Sequence, residues 1–292
     1  MKDVMKNLRS IMGLPLLAAT LAMGVTSPAH AQKPSIPRSN LWVEGTGWQP
    51  DPVKRGILWG LVQDCVKANA AGTALPSNCA RVHPHLGYVV LKDIKGAYHY
   101  LTLPIRRTTG IEDSILWAIP GPNYLHAAWT HKYLVEQAIG NNFAFKPTQF
   151  GIAVNSIFAR SQDQLHIHMD CVIPEVTSTV QAAAAAGSLS TTEWVTLDPI
   201  IQEKYRARLI PDVTLATTDP FRMLANELLP KQSMLGETIL ITDVQLPDRR
   251  MALAMLVGKA TMDQQEDLKG QDWPDRGGAE DLLDHECKAV KG

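Results

Sequence analysis

The stretch Ser161–Cys171, SQDQLHIHMDC, alternates His166, His168 and Asp170 with Leu165, Ile167 and Met169. Side chains on a strand point to opposite faces in turn. The spacing therefore predicts a ribbon that is apolar on one face and carries two imidazoles and a carboxylate on the other. A merely structural polar face would carry Thr, Lys, Ser or Glu. Imidazoles in register with a carboxylate suit metal binding or attack on phosphorus. Cys171 has the parity of Leu165, so it is expected in the core, neither a nucleophile nor a ligand beside the histidines.

The surroundings narrow these possibilities. The chain has 292 residues, 45% of them hydrophobic and 20% charged, ample for a sizeable core. Its net charge of −1 argues against a nucleic-acid partner. Lys2, Lys6 and Arg9 precede the apolar run IMGLPLLAATLAMGV, and Ala29-His30-Ala31 offers a cleavage site before Gln32. The run is shorter than the ~20 apolar residues that a spanning helix needs. Residues 1–31 are thus expected to be an export signal, or else an uncleaved membrane anchor. The folded part is then expected on the periplasmic side of the inner membrane. Residues 32–52 read as a Pro-rich connector and 53–292 as the folded domain.

Export bears on Cys65, Cys79, Cys171 and Cys287, an even number in an oxidising compartment. Four cysteines allow three pairings. Proximity favours Cys65–Cys79, which leaves Cys171–Cys287 to tie the tail to the histidine strand.

Periodicity predicts an α+β fold. VKRGILWGLVQDCVKANA has helical spacing. GYVVLKDIKGAYHYLTLP reads as a hairpin turning at DIKG, with His83 and His85 on a surface loop before it. NYLHAAWTHKYLVEQAIG reads as a helix closed by Gly140. FGIAVNS and QLHIHMDCVI read as strands, and VTSTVQAAAAAGS, DPIIQEKYRARLI and DPFRMLANELL as helices. ETILITDVQLPDRRMALAMLVG forms a second hairpin, followed by an acidic tail. His99, His126 and His131 fall in hairpin or helix and are expected to be structural, as are Trp117 and Trp129.

The order hairpin, helix, strand, polar loop, strand with His-x-His resembles the histidine-triad superfamily of nucleotide hydrolases and transferases. His166 matches the first histidine of that signature and His168 the middle, nucleophilic one. Asp170 stands where the third would be. Asn155, eleven residues before His166, and Gln162, four before it, match the superfamily's phosphate-contacting amides, with Arg160 and Ser161 between them. Arg107, in LTLPIRRTTGIE, sits where a histidine is usual. More narrowly, GYVVLKD, NSIFARSQDQLHIHMDC and the spacing of all four cysteines resemble the bacterial CDP-diacylglycerol pyrophosphatases, from about Cys65 to Cys287.

That resemblance implies a histidine-triad-like antiparallel sheet with flanking helices and a C-terminal extension carrying the second hairpin. It implies hydrolysis of CDP-diacylglycerol to CMP and phosphatidate at the inner-membrane surface, through a nucleotidyl-histidine on His168. Asn155, Gln162, Arg160, Ser161 and Arg107 would bind phosphate, and no metal or other cofactor is required. Two alternatives stay open. One is a broader nucleotide pyrophosphatase or nucleotidyltransferase. The other is a periplasmic metal- or ligand-binding protein, with His83 and His85 completing a four-histidine zinc site.

Overall fold

The computed structural model of the chain describes residues 54–260 and 278–291, together with the backbone of two short paired strands, β1 (Leu41–Val43) and β2 (Gly47–Gln49). The export signal or anchor expected over residues 1–31 lies outside the described residues. Helix α1 (Ile57–Ala71) ends on Gly72, whose φ of 63° lets its N–H turn back to the carbonyls of Ala68 and Asn69. There follow β3 (Cys79–His83), β4 (Tyr88–Lys92) and β5 (Tyr100–Pro104). Strand β3 corrects the expectation of a surface loop at His83. It is the edge strand of the sheet, so its residues are only partly covered.

The aromatic segment forms two helices, α2 (Tyr124–Thr130) and α3 (Lys132–Ile139). His131 breaks them, its ring Nδ1 lying 2.8 Å from the Ala127 carbonyl. Strands β6 (Phe150–Val154) and β7 (Ile167–Val172) then enter the centre of the sheet, and α4 (Pro174–Ala185) starts on a proline at its first turn. Beyond it are β8 (Val195–Thr196), β9 (Arg206–Ile210), α5 (Pro220–Leu228), β10 (Glu237–Gln245) and β11 (Met251–Lys259). The tail adds β12 (Leu283–Asp284) and a terminal turn of helix, α6 (Lys288–Lys291).

DPIIQEKYRARLI is not helical. Ile201 and Gln202 take positive φ in a tight turn, and β9 follows. Alternation decides it: Ala207 and Leu209 are buried, while Arg206 and Arg208 lie over the Trp194 ring on the other side.

All strand pairs are antiparallel, in the order β3-β4-β5-β7-β6-β10-β11-β9-β8. The register brings one row of residues side by side across the sheet: Cys79, Leu91, Leu101, His168, Ala153, Leu240, Leu256 and Ala207. Every member is buried, and His168 is the row's only polar side chain. To one side of it, Leu91 and Leu101 pack with Val62 and Cys65 of α1. To the other, Ala153 and Leu240 pack with Val176 and Val180 of α4. His168 thus falls in the gap between two helix-covered cores on one sheet face. The opposite face, with Ile167 and Met169, packs against Leu125, Val135 and Phe221 of α2, α3 and α5.

Two devices finish that gap. Strand β5 pairs with β7 at Ile167, His168 and Met169, and β12 then takes up the same edge at Cys171 and Val172. The disulfides Cys65–Cys79 and Cys171–Cys287 are both formed, and the second pins the tail there. Meanwhile the β6–β7 loop is clamped by a buried ion network. Asp163 accepts from Arg55 at 2.8 Å and from Arg160 at 3.3 Å, and Arg160 also binds Glu112 at 2.6 Å. The Arg160 guanidinium lies against Gly110, where a Cβ would fall 1.8 Å from its Nη1, so any larger residue there would push the guanidinium off its present position.

Two outcomes follow from these restraints. In the chain-entropy model, cross-links spanning 14 and 116 residues contribute about 3 and about 5 kcal/mol. Reductant should therefore lower the melting temperature strongly, and unchanged melting would count against both. Removing the Arg160 side chain (Arg160→Met) leaves the partly buried Glu112 without its ion-pair partner while Asp163 keeps Arg55, so urea denaturation should read a loss of about 1–3 kcal/mol.

Candidate active site

The polar face of β7 is not wet: all six of its residues are buried. His168 is 3% exposed, and its Nδ1 lies 2.9 Å from Nε2 of His99. His99, the residue before β5, is fully buried, and its own Nδ1 lies 3.4 Å from the Asp93 carboxylate. With hydrogens on both Nδ1 atoms, His99 donates toward Asp93 and accepts from His168. That arrangement leaves the His168 Nε2 lone pair unused. Nε2 has no hydrogen-bond partner among the described residues and lies 3.6 Å from the Glu280 carboxylate. Burial holds both rings neutral, lowering His168 to about 3 against a partly offsetting pull from Glu280, and lowering His99 further.

His166, just before β7, stands edge-on to His168 with ring centroids 4.9 Å apart. Its Nδ1 is 2.7 Å from the Gln164 carbonyl, which can only accept, so the hydrogen sits on Nδ1 and Nε2 carries a lone pair. Burial lowers its pKa.

Glu280 and His285 come from the tail, where neither was expected to matter. Asn155 grips Glu280 twice: its Nδ2 donates to Oε2 at 3.1 Å, and its Oδ1 accepts from the Glu280 N–H at 3.0 Å. His285 Nδ1 is 2.8 Å from Asp170, and its Nε2 is 3.3 Å from Glu280. Burial alone would discharge His285, but the two carboxylates overcome it and raise its pKa to about 9. Burial lifts Asp170 to about 6, with His285 and the Cys171 N–H holding it from going higher. Burial pushes Glu280 upward too, yet the surrounding histidines bring it well below the usual carboxylate range. At neutral pH the three form an anion–cation–anion bridge.

A cleft of about 240 Å³ opens onto this group. His166, His168, Glu280, Ser161 and Gln162 line it, with Leu58, Leu61, Leu91 and Leu101 as its apolar wall. Of the residues singled out from the sequence, Ser161, Gln162, His166 and His168 therefore meet here. Gln162 also accepts from the Leu58 N–H at 3.2 Å. Asn155 reaches the site through Glu280, and Asp170 through His285. Arg160 is spent on Glu112 and Asp163, and Arg107 lies over the Trp59 ring; neither lines the cleft.

His99 was read as structural and instead touches His168. No sequence signal marks it, because the contact spans 69 residues. His126 and His131 do serve the scaffold, bonding backbone carbonyls. His83 packs against Tyr88 and His131 and does not join the other histidines, which removes the four-histidine zinc site. A metal could instead find donors on His99, His168 and Glu280, whose ligand atoms all lie within 4.8 Å. Such an ion would consume the lone pair on His168.

The CDP-diacylglycerol pyrophosphatase family model matches residues 53–291. A CDP-diacylglycerol pyrophosphatase of Yersinia pestis is 31% identical over 236 residues, covering 80% of this chain and 84% of that protein. Among solved structures, a DUF4931 family protein (BCE0241) of Bacillus cereus ATCC 10987 aligns with a TM-score of 0.38 at 12% identity. It covers 70% of this chain and 93% of its own. With the family model matching most of its length, the chain belongs to the CDP-diacylglycerol pyrophosphatases, hydrolases of that nucleotide-linked lipid.

Proposed function

We propose that the chain cleaves CDP-diacylglycerol to CMP and phosphatidate through a nucleotidyl-histidine on His168 Nε2. The observation that carries this reading is the lone pair itself. His168 lines the cleft, and its Nε2 has no hydrogen-bond partner among the described residues, while Nδ1 is tied to His99. An uncharged imidazole is a good nucleophile toward phosphorus. In the first step Nε2 bonds to the cytidylyl phosphorus and the bond from that phosphorus to the bridging oxygen breaks. The ring is then positive. Its Nδ1–H donates to His99, and the His99 Nδ1–H faces Asp93, so the new charge has an acceptor chain already in place. Phosphatidate departs as a phosphate monoester, a far better leaving group than an alkoxide, so no strong general acid is needed. In the second step water adds to phosphorus, the P–N bond breaks, and CMP leaves.

Charge spreading over the phosphoryl oxygens needs fixed donors. Ser161 and Gln162 stand beside the cleft for this, and His166 joins them once protonated. Phosphorus and Glu280 compete for the space beside Nε2. Substrate entry therefore turns that carboxylate aside, toward His285, which already lies 3.3 Å from its other oxygen.

The three clustered donors favour one second reading, a divalent ion held by His99, His168 and Glu280. Activity that survives exhaustive chelation is expected here and would exclude it. Exchanging His168 for Asn should lower CMP release by roughly three orders of magnitude or more without unfolding the chain. Near-normal turnover from that folded variant would end the proposal. Quenching in alkali during turnover should trap a phosphorus–nitrogen adduct on the wild type alone.

The bridge in the tail gives a pH signature. His285 rises from its ordinary 6.5 to about 9, so the folded chain keeps a proton that the unfolded chain sheds. Its stabilising contribution is complete below about pH 6.5 and is lost as pH climbs through about 9. Melting temperature should fall across that window in the wild type and fall less in His285→Ala.

A further inference from the structure

The loop between β4 and β5 ends in an unusual place for an apolar side chain. Turn tips are ordinarily polar. Here Ile94 stands at the tip, 94% exposed, beside the exposed Lys95. The loop is held from within. Lys92 Nζ donates to the carbonyls of Asp93 and Gly96, both at 2.9 Å, and the Asp93 carboxylate accepts from the Lys95 N–H at 3.1 Å. It is held from behind as well, because Gly96 has a φ of 70° and abuts His285, where any Cβ would collide at 2.5 Å. A turn restrained on both sides presents Ile94 outward instead of leaving it free to fold under.

Ile94 and Lys95 form one part of the rim of the cleft that contains His168. Ile57, on the first turn of α1 and 52% exposed, forms another. Below that rim Leu58, Leu61 and Leu101 line the descent to the imidazoles. The lining therefore grades from apolar and cationic at the mouth to imidazole at the base.

We propose that this rim is a membrane-docking surface: Ile57 and Ile94 enter the bilayer, and Lys95 meets anionic phosphate headgroups, so that a diacylated substrate is drawn from the lipid by its headgroup. The proposal rests on the reading of the chain as a hydrolase of a diacylated nucleotide. Size argues for docking over engulfing. A cleft of about 240 Å³ is smaller than the roughly 300–1,000 Å³ that encloses a drug-sized ligand, so the acyl chains must stay in the bilayer. Charge agrees, since each phosphatidate released leaves an anion at the lip where Lys95 stands. No helix among the described residues is long and apolar enough to cross a membrane, so contact made by this part of the chain is made by a surface.

The test uses the full chain. All four cysteines are in disulfides, so Ile94→Cys provides a unique attachment point for an environment-sensitive fluorophore. Leu86→Cys is the control: it is 65% exposed in the turn at the far end of β4. The probe vesicles are phosphatidylcholine with and without phosphatidate, free of any nucleotide. The label at 94 should shift to the blue on vesicles, more so with phosphatidate, and be quenched by lipid-borne quenchers, whereas the label at 86 should not respond. In parallel, Ile94→Asp should lower the rate on substrate in vesicles by roughly tenfold or more, what the burial of one isoleucine is worth, with unchanged melting.

An unresponsive label at 94, or equal shifts at 86 and 94, would overturn the proposal. So would a label already blue in plain buffer, since another segment of the chain would then cover the rim. Because the vesicles carry no substrate, docking is read separately from hydrolysis. A blue shift in a chain that releases no CMP would uphold the surface and dismiss the chemistry.

Discussion

The hydrogen bond between His168 and His99 is the interaction on which the site depends. A lone imidazole in a buried apolar row of a sheet is costly, because burial disfavours its charge and its polar atoms need partners. His99 meets one nitrogen at 2.9 Å, which makes the position tolerable and also decides which nitrogen remains. Asp93 biases that choice from behind, 3.4 Å from His99. The same burial that threatens stability keeps the ring uncharged at neutral pH. The arrangement's cost is a buried Nε2 that has no hydrogen-bond partner among the described residues.

The tail is the second half of the construction. Asp170 cannot reach His168, although it shares a strand face with it, and holds His285 instead. His285 brings a positive charge between the Asp170 and Glu280 carboxylates and thereby allows Glu280 to lie beside His168. None of this survives if the tail leaves. The short β12–β7 pairing, the Asn155 grip and Cys171–Cys287 keep it there. The disulfide fixes Cys287 next to Asp170, with Sγ 3.5 Å from its carboxylate, so the cross-link is in effect built into the wall of the site.

What could be read from the sequence divides along the range of the interactions involved. Alternation made β7 and both hairpins legible, helical spacing of apolar residues did the same for α1, and Asp219 with Pro220 marks the start of α5. DPIIQEKYRARLI misled because its apolar residues satisfy helical and strand spacing alike over so short a run. The strand wins through pairing with β11, a tertiary contact. In the site, the histidines on β7 were visible because they are neighbours in sequence. Glu280 lies 125 residues from Asn155, and His285 lies 115 from Asp170, so nothing local announces them. Arg160 shows what a sequence cannot say of a loop. A basic residue there invites a ligand role, and the fold shows which partners its guanidinium holds, the Glu112 and Asp163 carboxylates.

That pairing explains how the loop can carry small donors at all. A β6–β7 connection with a free arginine would gain phosphate affinity at the cost of a mobile backbone. Here the charges of Arg55, Asp163, Arg160 and Glu112 cancel one another in a partly buried network, which is weak as a source of stability but strict about geometry. Asp163 N–H and Leu165 N–H are also fixed, to Arg55 O at 2.9 Å and Thr108 O at 2.6 Å. Ser161 and Gln162 are thus presented on a rigid frame. Donors fixed before the charge develops need no reorganisation during reaction. Arg160, by holding the loop still, decides where Ser161 and Gln162 stand at the cleft.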